Sequence, residues 1–161
     1  MPVHDATVEW QSWARRFEQG RAPDDFVALF APGGTFRDPV TPTTTDVRAV
    51  AEHTAAIFPD WWQRVKLIRG GDGWAVFEWT GGGTYRGPGA EEGPGFPVTM
   101  EGATVVEVDG AGLVTRWRDY LDTNAAIQQV TEGLRTAGAA EPEAGELTSD
   151  WEAHFADEPQ L

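Results

Sequence analysis

Leu113-Val114-Thr115-Arg116-Trp117-Arg118-Asp119-Tyr120-Leu121-Asp122 alternates two kinds of side chain. On an extended chain Thr115, Trp117, Asp119 and Leu121 share one face, and Arg116, Arg118 and Tyr120 share the other. That pattern predicts a strand whose apolar side carries a carboxylate. The same period of two runs upstream. Residues 98–108 read as a long strand, joined to 113–122 by the turn Asp109-Gly110-Ala111-Gly112. Residues 74–80 place Ala75, Phe77 and Trp79 on one face and Trp74, Val76, Glu78 and Thr80 on the other. Residues 63–69 form a further strand, with Val65 and Leu67 on one side, and Gly70-Gly71-Asp72-Gly73 reads as its hairpin turn. Gly81-Gly82-Gly83 predicts a bend in the sheet, and residues 87–97 a Gly/Pro loop.

Ahead of this meander the period becomes helical. Trp10, Trp13, Ala14 and Phe17 mark one face of a first helix, with Gly20 as its stop. Pro23, Asp24 and Asp25 open a second, whose buried side is Phe26, Leu29 and Phe30 and which Gly33-Gly34 breaks. Thr35 to Asp38 reads as a short strand ended by Pro39. A third helix spans about Asp46 to Phe58 and sets Val50, His53 and Ile57 on one side. A last one starts near Thr123, with Ile127, Val130, Thr131 and Leu134 on its apolar face. Helices followed by an antiparallel meander define an α+β class. Residues 1–138 form one domain and 139–161 an acidic C-terminal tail. Within the tail Leu147, Trp151 and Phe155 recur every four residues, the spacing of a short helix capped by Ser149 or Asp150. Such a helix either docks on the body or stays disordered.

The net charge is −14, and half of it belongs to the tail, which has seven acidic residues and no Lys or Arg. A field of that sign repels phosphate backbones and anionic lipids, so nucleic acid and membrane surfaces are poor partners. The sequence has no apolar run of about 18 residues and no signal-peptide pattern, which makes a cytoplasmic protein the expectation. Cysteine is absent and the three histidines, His4, His53 and His154, lack ligand spacing, so no metal site is expected. Eight tryptophans are many for 161 residues. They build either an aromatic core or the walls of a pocket for a flat ligand.

Among polar side chains, Asp119 stands out. If the Trp117 face looks inward, Asp119 lies among apolar groups without its neighbouring arginines, and desolvation raises its pKa toward the range of a general acid or base. The alternative is a carboxylate satisfied by a backbone amide or an Arg of another strand. His53, on an apolar helix face, is either a core residue or a group that hydrogen-bonds a substrate oxygen or pairs with Asp119. Asp38 either caps a turn or stands at a pocket mouth. Glu78 lies across the strand from Trp79 and reads as an outward ion-pair partner. No Gly-x-Ser-x-Gly elbow or phosphate loop is present.

Leu29-Phe30-Ala31-Pro32, Thr35-Phe36-Arg37-Asp38-Pro39, His53 to Trp61, Glu78-Trp79 with Gly83-Thr84, and Trp117 to Asp122 together resemble SnoaL-like polyketide cyclases of the nuclear transport factor 2-like superfamily. The resemblance covers about residues 8–132. It implies a cone-shaped, curved antiparallel sheet packed on three to four helices around a deep apolar pocket. It implies Asp119 as the acid/base of an aldol-type ring closure, His53 as its assistant, no metal or organic cofactor, and a homodimer. The Arg118-Asp119-Tyr120 strand is also similar to limonene epoxide hydrolases. Here, however, Phe36 and Asp38 fall where that family has Tyr and Asn, and Trp79 replaces its Arg.

The functional expectation is therefore an enzyme of cyclase or isomerase type acting on a small hydrophobic, carbonyl-bearing substrate. Asp119, His53 and Asp38 are its catalytic candidates, and Trp79, Trp117, Trp62 and Phe36 its substrate walls. A non-catalytic binding or dimerisation module and a hydrolase or dehydratase stand as alternatives.

Overall fold

A computed structural model describes residues 4–19, 22–140 and 146–156. In chain order the elements are α1 (His4–Gln19), α2 (Pro23–Val27), β1 (Phe30–Arg37), α3 (Val47–Ile57), β2 (Trp62–Gly71), β3 (Trp74–Tyr85), β4 (Phe96–Val108), β5 (Val114–Leu121), α4 (Thr123–Thr136) and α5 (Glu146–His154). The strands form one sheet in the order β1-β5-β4-β3-β2. Pairings β2–β3, β3–β4 and β4–β5 are antiparallel, as the turn residues require. Pairing β1–β5 is parallel, so the sheet is mixed and not purely antiparallel.

β1 is where sequence and structure differ most. The apolar run after Pro23 reads as helix, but α2 stops at Val27 and Phe30 already begins the strand. Gly33-Gly34 does not break a helix; it allows a detour inside β1. The partner of Phe30 is Val114 and that of Thr35 is Arg116, so the chain between them loops out of register. Gly33 takes φ 76°, and a Cβ on Gly34 would lie 2.5 Å from the Val114 carbonyl.

A second irregularity sits in β2. Val65 pairs with Trp79 but Leu67 pairs with Glu78. The bulge at Lys66 turns Val65 and Ile68 to the core, and Leu67, expected beside Val65, is 40% exposed. Glu18 of α1 accepts the Val65 N–H at 2.6 Å at this point. Gly70 and Gly71 belong to β2, and only Asp72-Gly73 turns the chain.

The inner face of the sheet carries Ala75, Phe77, Trp79, Val106 and Trp117, all buried, against Trp13 and Phe17 of α1. The Trp117 indole meets the rings of Trp13, Phe17, Phe26, Phe30, Phe36 and Phe77. Contacts of this kind add roughly 0.5–1.5 kcal/mol each beyond the area they bury. A smaller cluster of Phe58, Tyr85, Val98, Val130 and Leu134 seats α4 on β4. Asp46 and Asp122 cap α3 and α4 by accepting the N–H groups of Ala49 and Ala125.

The Gly20 stop falls outside the described residues. The tail helix forms and docks: Phe155 is 1% exposed within the main core. It begins at Glu146, so Ser149 and Asp150 lie inside it and do not cap it. No described helix is long and apolar enough to cross a membrane.

Candidate functional site

Between the inner sheet face and α3, α4 and α5 lies a cavity of ≈ 310 Å³. Its lining is mainly apolar, with Asp119, Asp38, His53 and Gln63 among its few polar side chains. Alternation along β5 delivers Asp119 there with Trp117, while Arg116 and Arg118 point away toward Glu107.

Asp119 is held by one oxygen. Trp117 Nε1 donates to its Oδ1 at 2.7 Å, and Thr104 Oγ1 donates to the same atom at 2.5 Å. Thr104, directly across β4–β5 from Asp119, in turn accepts from Trp79 Nε1 at 2.8 Å. A hydroxyl has one proton. Because the Trp79 N–H takes an acceptor site on Thr104, the Thr104 proton goes to Asp119. Both partners of Oδ1 are donors, so the titrating proton of Asp119 belongs on Oδ2. Among the described residues nothing hydrogen-bonds that oxygen. Burial pushes the Asp119 pKa up to about 7, against the pull of the Thr104 hydrogen bond; the negative charge of Asp38 adds to the rise, and the Trp117 bond opposes it. The carboxyl is thus divided between its two protonation states near neutrality.

Trp79 reaches Thr104 only because Gly102 leaves room. Gly102 lies opposite Trp79 on β4, and a Cβ there would stand 2.5 Å from the indole ring.

Asp38 fills both of its expected roles. Its Oδ1 accepts the N–H groups of Val40 at 2.9 Å and Thr41 at 2.6 Å, which caps the turn after β1. It also lines the cavity, and burial raises its pKa above the ordinary carboxylate range against those hydrogen bonds. His53 lines the cavity from α3. Desolvation, and then the nearby His154, lower its pKa and favour the neutral ring. Among the described residues no hydrogen bond or ion pair joins His53 to Asp119. The ring instead stacks face to face on Trp151 of α5, with centroids 3.9 Å apart and planes 9° apart.

A family model described as the SnoaL-like domain matches residues 10–117. The chain belongs to that family. Solved structures with the ketosteroid isomerase-like, nuclear transport factor 2-like fold align along most of their length with this SnoaL-like domain. One is a protein of ketosteroid isomerase-like fold from Catenulispora acidiphila in complex with trimethylamine, 22% identical, covering 74% of this chain and 89% of that one with a TM-score of 0.61. Another is a proposed polyketide cyclase from Acidithiobacillus ferrooxidans, 21% identical, covering 83% and 99%, TM-score 0.61. A third is an M. tuberculosis epoxide hydrolase of the limonene-epoxide-hydrolase-like type, 18% identical, covering 80% and 90%, TM-score 0.57. At these identities the likeness establishes the shared fold. No curated protein matches the chain.

Phe36, Trp79 and Trp117 line the cavity of this SnoaL-like domain as the sequence predicts, but Trp62 does not; Trp61 takes that place. The reason is strand parity. Trp62 pairs with Gly82, whose side faces away from the Trp79 face, and its ring lies outside beside the Arg64 guanidinium, 5.5 Å from the centroid. A Cβ on Gly81, two residues from Trp79, would instead meet the Trp61 ring and the Gln63 side chain. Glu78 points outward, as expected. Sequence reading missed Thr104, Gln63 and Tyr85. Thr104 was legible only through the β4–β5 register. Tyr85 lines the cavity but donates its hydroxyl to the Pro88 carbonyl, and burial pushes its pKa up to about 12. Among the described residues no group of three or more His, Cys, Asp or Glu side chains is placed to hold a metal ion.

Proposed function

We propose that this SnoaL-like domain is an enzyme that moves a proton on a hydrophobic, carbonyl-bearing metabolite, in a cyclisation or isomerisation. One observation carries the reading: the Asp119 carboxyl is poised near neutrality, with one oxygen fixed by two donors and the other, which has no hydrogen-bond partner among the described residues, at the wall of an apolar cavity. Ionised Oδ2 takes a proton from the carbon next to the substrate carbonyl, and the C–H electron pair passes into an enolate. The enolate carbon then attacks a second carbonyl or regains a proton, and the Asp119 carboxylic acid returns the proton it took. Neutral His53 supplies an N–H for the carbonyl oxygen, and Trp79, Trp117 and Phe36 exclude water. The chemistry calls for no metal or organic cofactor. A well-placed base of this kind contributes about 10²–10⁴-fold.

A hydrolase that holds its carboxylate beside an arginine is less well supported. Trp79, Trp117 and Thr104 occupy the surroundings of Asp119, and its two neighbouring arginines face Glu107. A purely structural module would have no use for a buried carboxyl raised this far. As partner we propose a second copy of the chain, seated on the outward sheet face where Trp74 and Tyr120 are 47% and 55% exposed; sedimentation at micromolar concentration tests it.

The catalytic reading is tested by hydrogen–deuterium exchange at the activated carbon of 2-tetralone, a flat bicyclic ketone. The wild-type chain accelerates exchange, and Asp119→Asn lowers that acceleration by about 10²–10⁴-fold while 2-tetralone still binds. A wild-type chain that leaves the exchange rate unchanged, or an Asn variant as fast as the wild type, would falsify it.

A further inference from the structure

The family match ends at residue 117, and the C-terminal helix α5 lies well beyond it. Yet Leu147 and Trp151 of that helix line the same cavity as Asp119. Trp151 makes two directed contacts there. Its ring covers the His53 imidazole in the parallel stack at 3.9 Å. Its Nε1 donates to Thr41 Oγ1 at 2.8 Å, and Thr41, 2% exposed, donates its backbone N–H to Asp38 Oδ1 at 2.6 Å. The Trp151 N–H thus fixes the side chain of the residue whose backbone N–H holds the Asp38 carboxylate. The indole is itself held in place by an edge contact with Phe155, whose ring is buried in the main core, and by a parallel stack on His154.

We infer that Trp151 is a substrate-positioning and specificity-determining residue: it supplies one wall of the cavity, holds the His53 ring face-on and, through Thr41, orients the Asp38 carboxyl. The tail helix is therefore part of the site. A flat substrate enters against the edge of the Trp151–His53 stack, with Leu147 beside it, and its size is limited by a segment that the family-matched residues do not contain. The wall and the hydrogen bond are separable, because phenylalanine keeps a flat ring and loses the N–H.

The experiment uses the full chain and the neutral naphthyl ketone prodan, whose emission shifts to the blue on entering an apolar cavity. Trp151→Ala weakens prodan binding roughly two- to tenfold, the scale of one lost aromatic wall, and brings the His53 proton titration, followed by NMR, back up toward that of an exposed histidine. Trp151→Phe keeps prodan affinity and the His53 titration near wild type, but raises the titration of the Asp38 carboxyl carbon, because Thr41 loses the donor that fixes its side chain and its backbone N–H loosens from Asp38 Oδ1. A lower melting temperature in Trp151→Ala, with prodan affinity and the His53 titration unchanged, overturns the wall. An unmoved Asp38 in Trp151→Phe overturns the relay through Thr41. The inferred role in positioning substrate rests on the acid/base reading of the site, but these readouts do not involve turnover. Their failure is thus distinct from a failure of Asp119→Asn in the exchange assay.

Discussion

Thr104 gives its hydroxyl proton to Asp119 because Trp79 already donates to Thr104 from the other side. The chain Trp79–Thr104–Asp119 crosses three strands, β3, β4 and β5, and fixes which carboxyl oxygen is left to work.

Thr104→Val keeps the shape and removes the hydroxyl. The ionised form of Asp119 loses a donor, so its pKa rises above about 7. Titration of the Asp119 carboxyl carbon by NMR reads the shift. Any activity that needs ionised Asp119 moves its lower pH limit upward by the same amount. The Trp79 N–H is left buried without a partner, at about 1–3 kcal/mol, which denaturant melts detect.

Asp119→Asn stabilises the fold at high pH. The folded-state pKa, about 7, stands above the ordinary value of 3.8. Between those values the folded chain holds a proton that the unfolded chain has lost, so stability falls as pH rises, and above about 7 the full penalty of a buried carboxylate is present. Asparagine removes it. The variant is expected to be more stable than wild type by roughly 2–4 kcal/mol at pH 8, and the gain shrinks as pH falls toward the ordinary carboxylate range. Equal stability at pH 8 would show that Asp119 titrates normally.

Gly102→Ala drives a methyl into the Trp79 indole, which must move off Thr104. We expect a loss of about 1–3 kcal/mol from overpacking together with a displaced Asp119 titration. Stability lost without any change at Asp119 would separate Trp79 from the site.

Trp61 and Trp62 give a test of strand parity. Trp61→Ala removes a cavity wall and weakens prodan roughly two- to tenfold. Trp62→Ala, on the outer side beside Arg64, leaves the affinity unchanged. The opposite result would mean that β2 carries its side chains in the other register.

How much of this was legible beforehand follows from the range of the forces involved. Period-two alternation is local, and it grouped Ala75, Phe77 and Trp79 on one strand face, and Trp117 with Asp119 on another, without any knowledge of the sheet. The helix starts near Asp46 and Thr123 were legible in the same local way. The failures in β1, in β2 and at Trp62 occurred where a residue's place depends on a partner far along the chain. The bulge at Lys66, which exposes Leu67, becomes visible only when β2 is laid against β3. The parity that puts Trp61 in the cavity and Trp62 outside follows from the same pairing. The apolar stretch from Phe26 to Phe30 fits helix or strand, and it is the parallel edge offered by β5 that makes Phe30 the start of β1.

The site divides along the same line. Sequence alone determined that Asp119 shares a face with Trp117 and Leu121, opposite its flanking arginines, because adjacent side chains on an extended strand take opposite faces. Only the tertiary structure decided what surrounds it. Trp79 and Thr104 come from two other strands, the push from Asp38 crosses from the end of β1, and Trp151 returns from the C-terminal helix to cover His53 and to reach Asp38 through Thr41. Desolvation is a property of the whole enclosure, so the pKa that makes Asp119 useful arises only when all of these segments close around it.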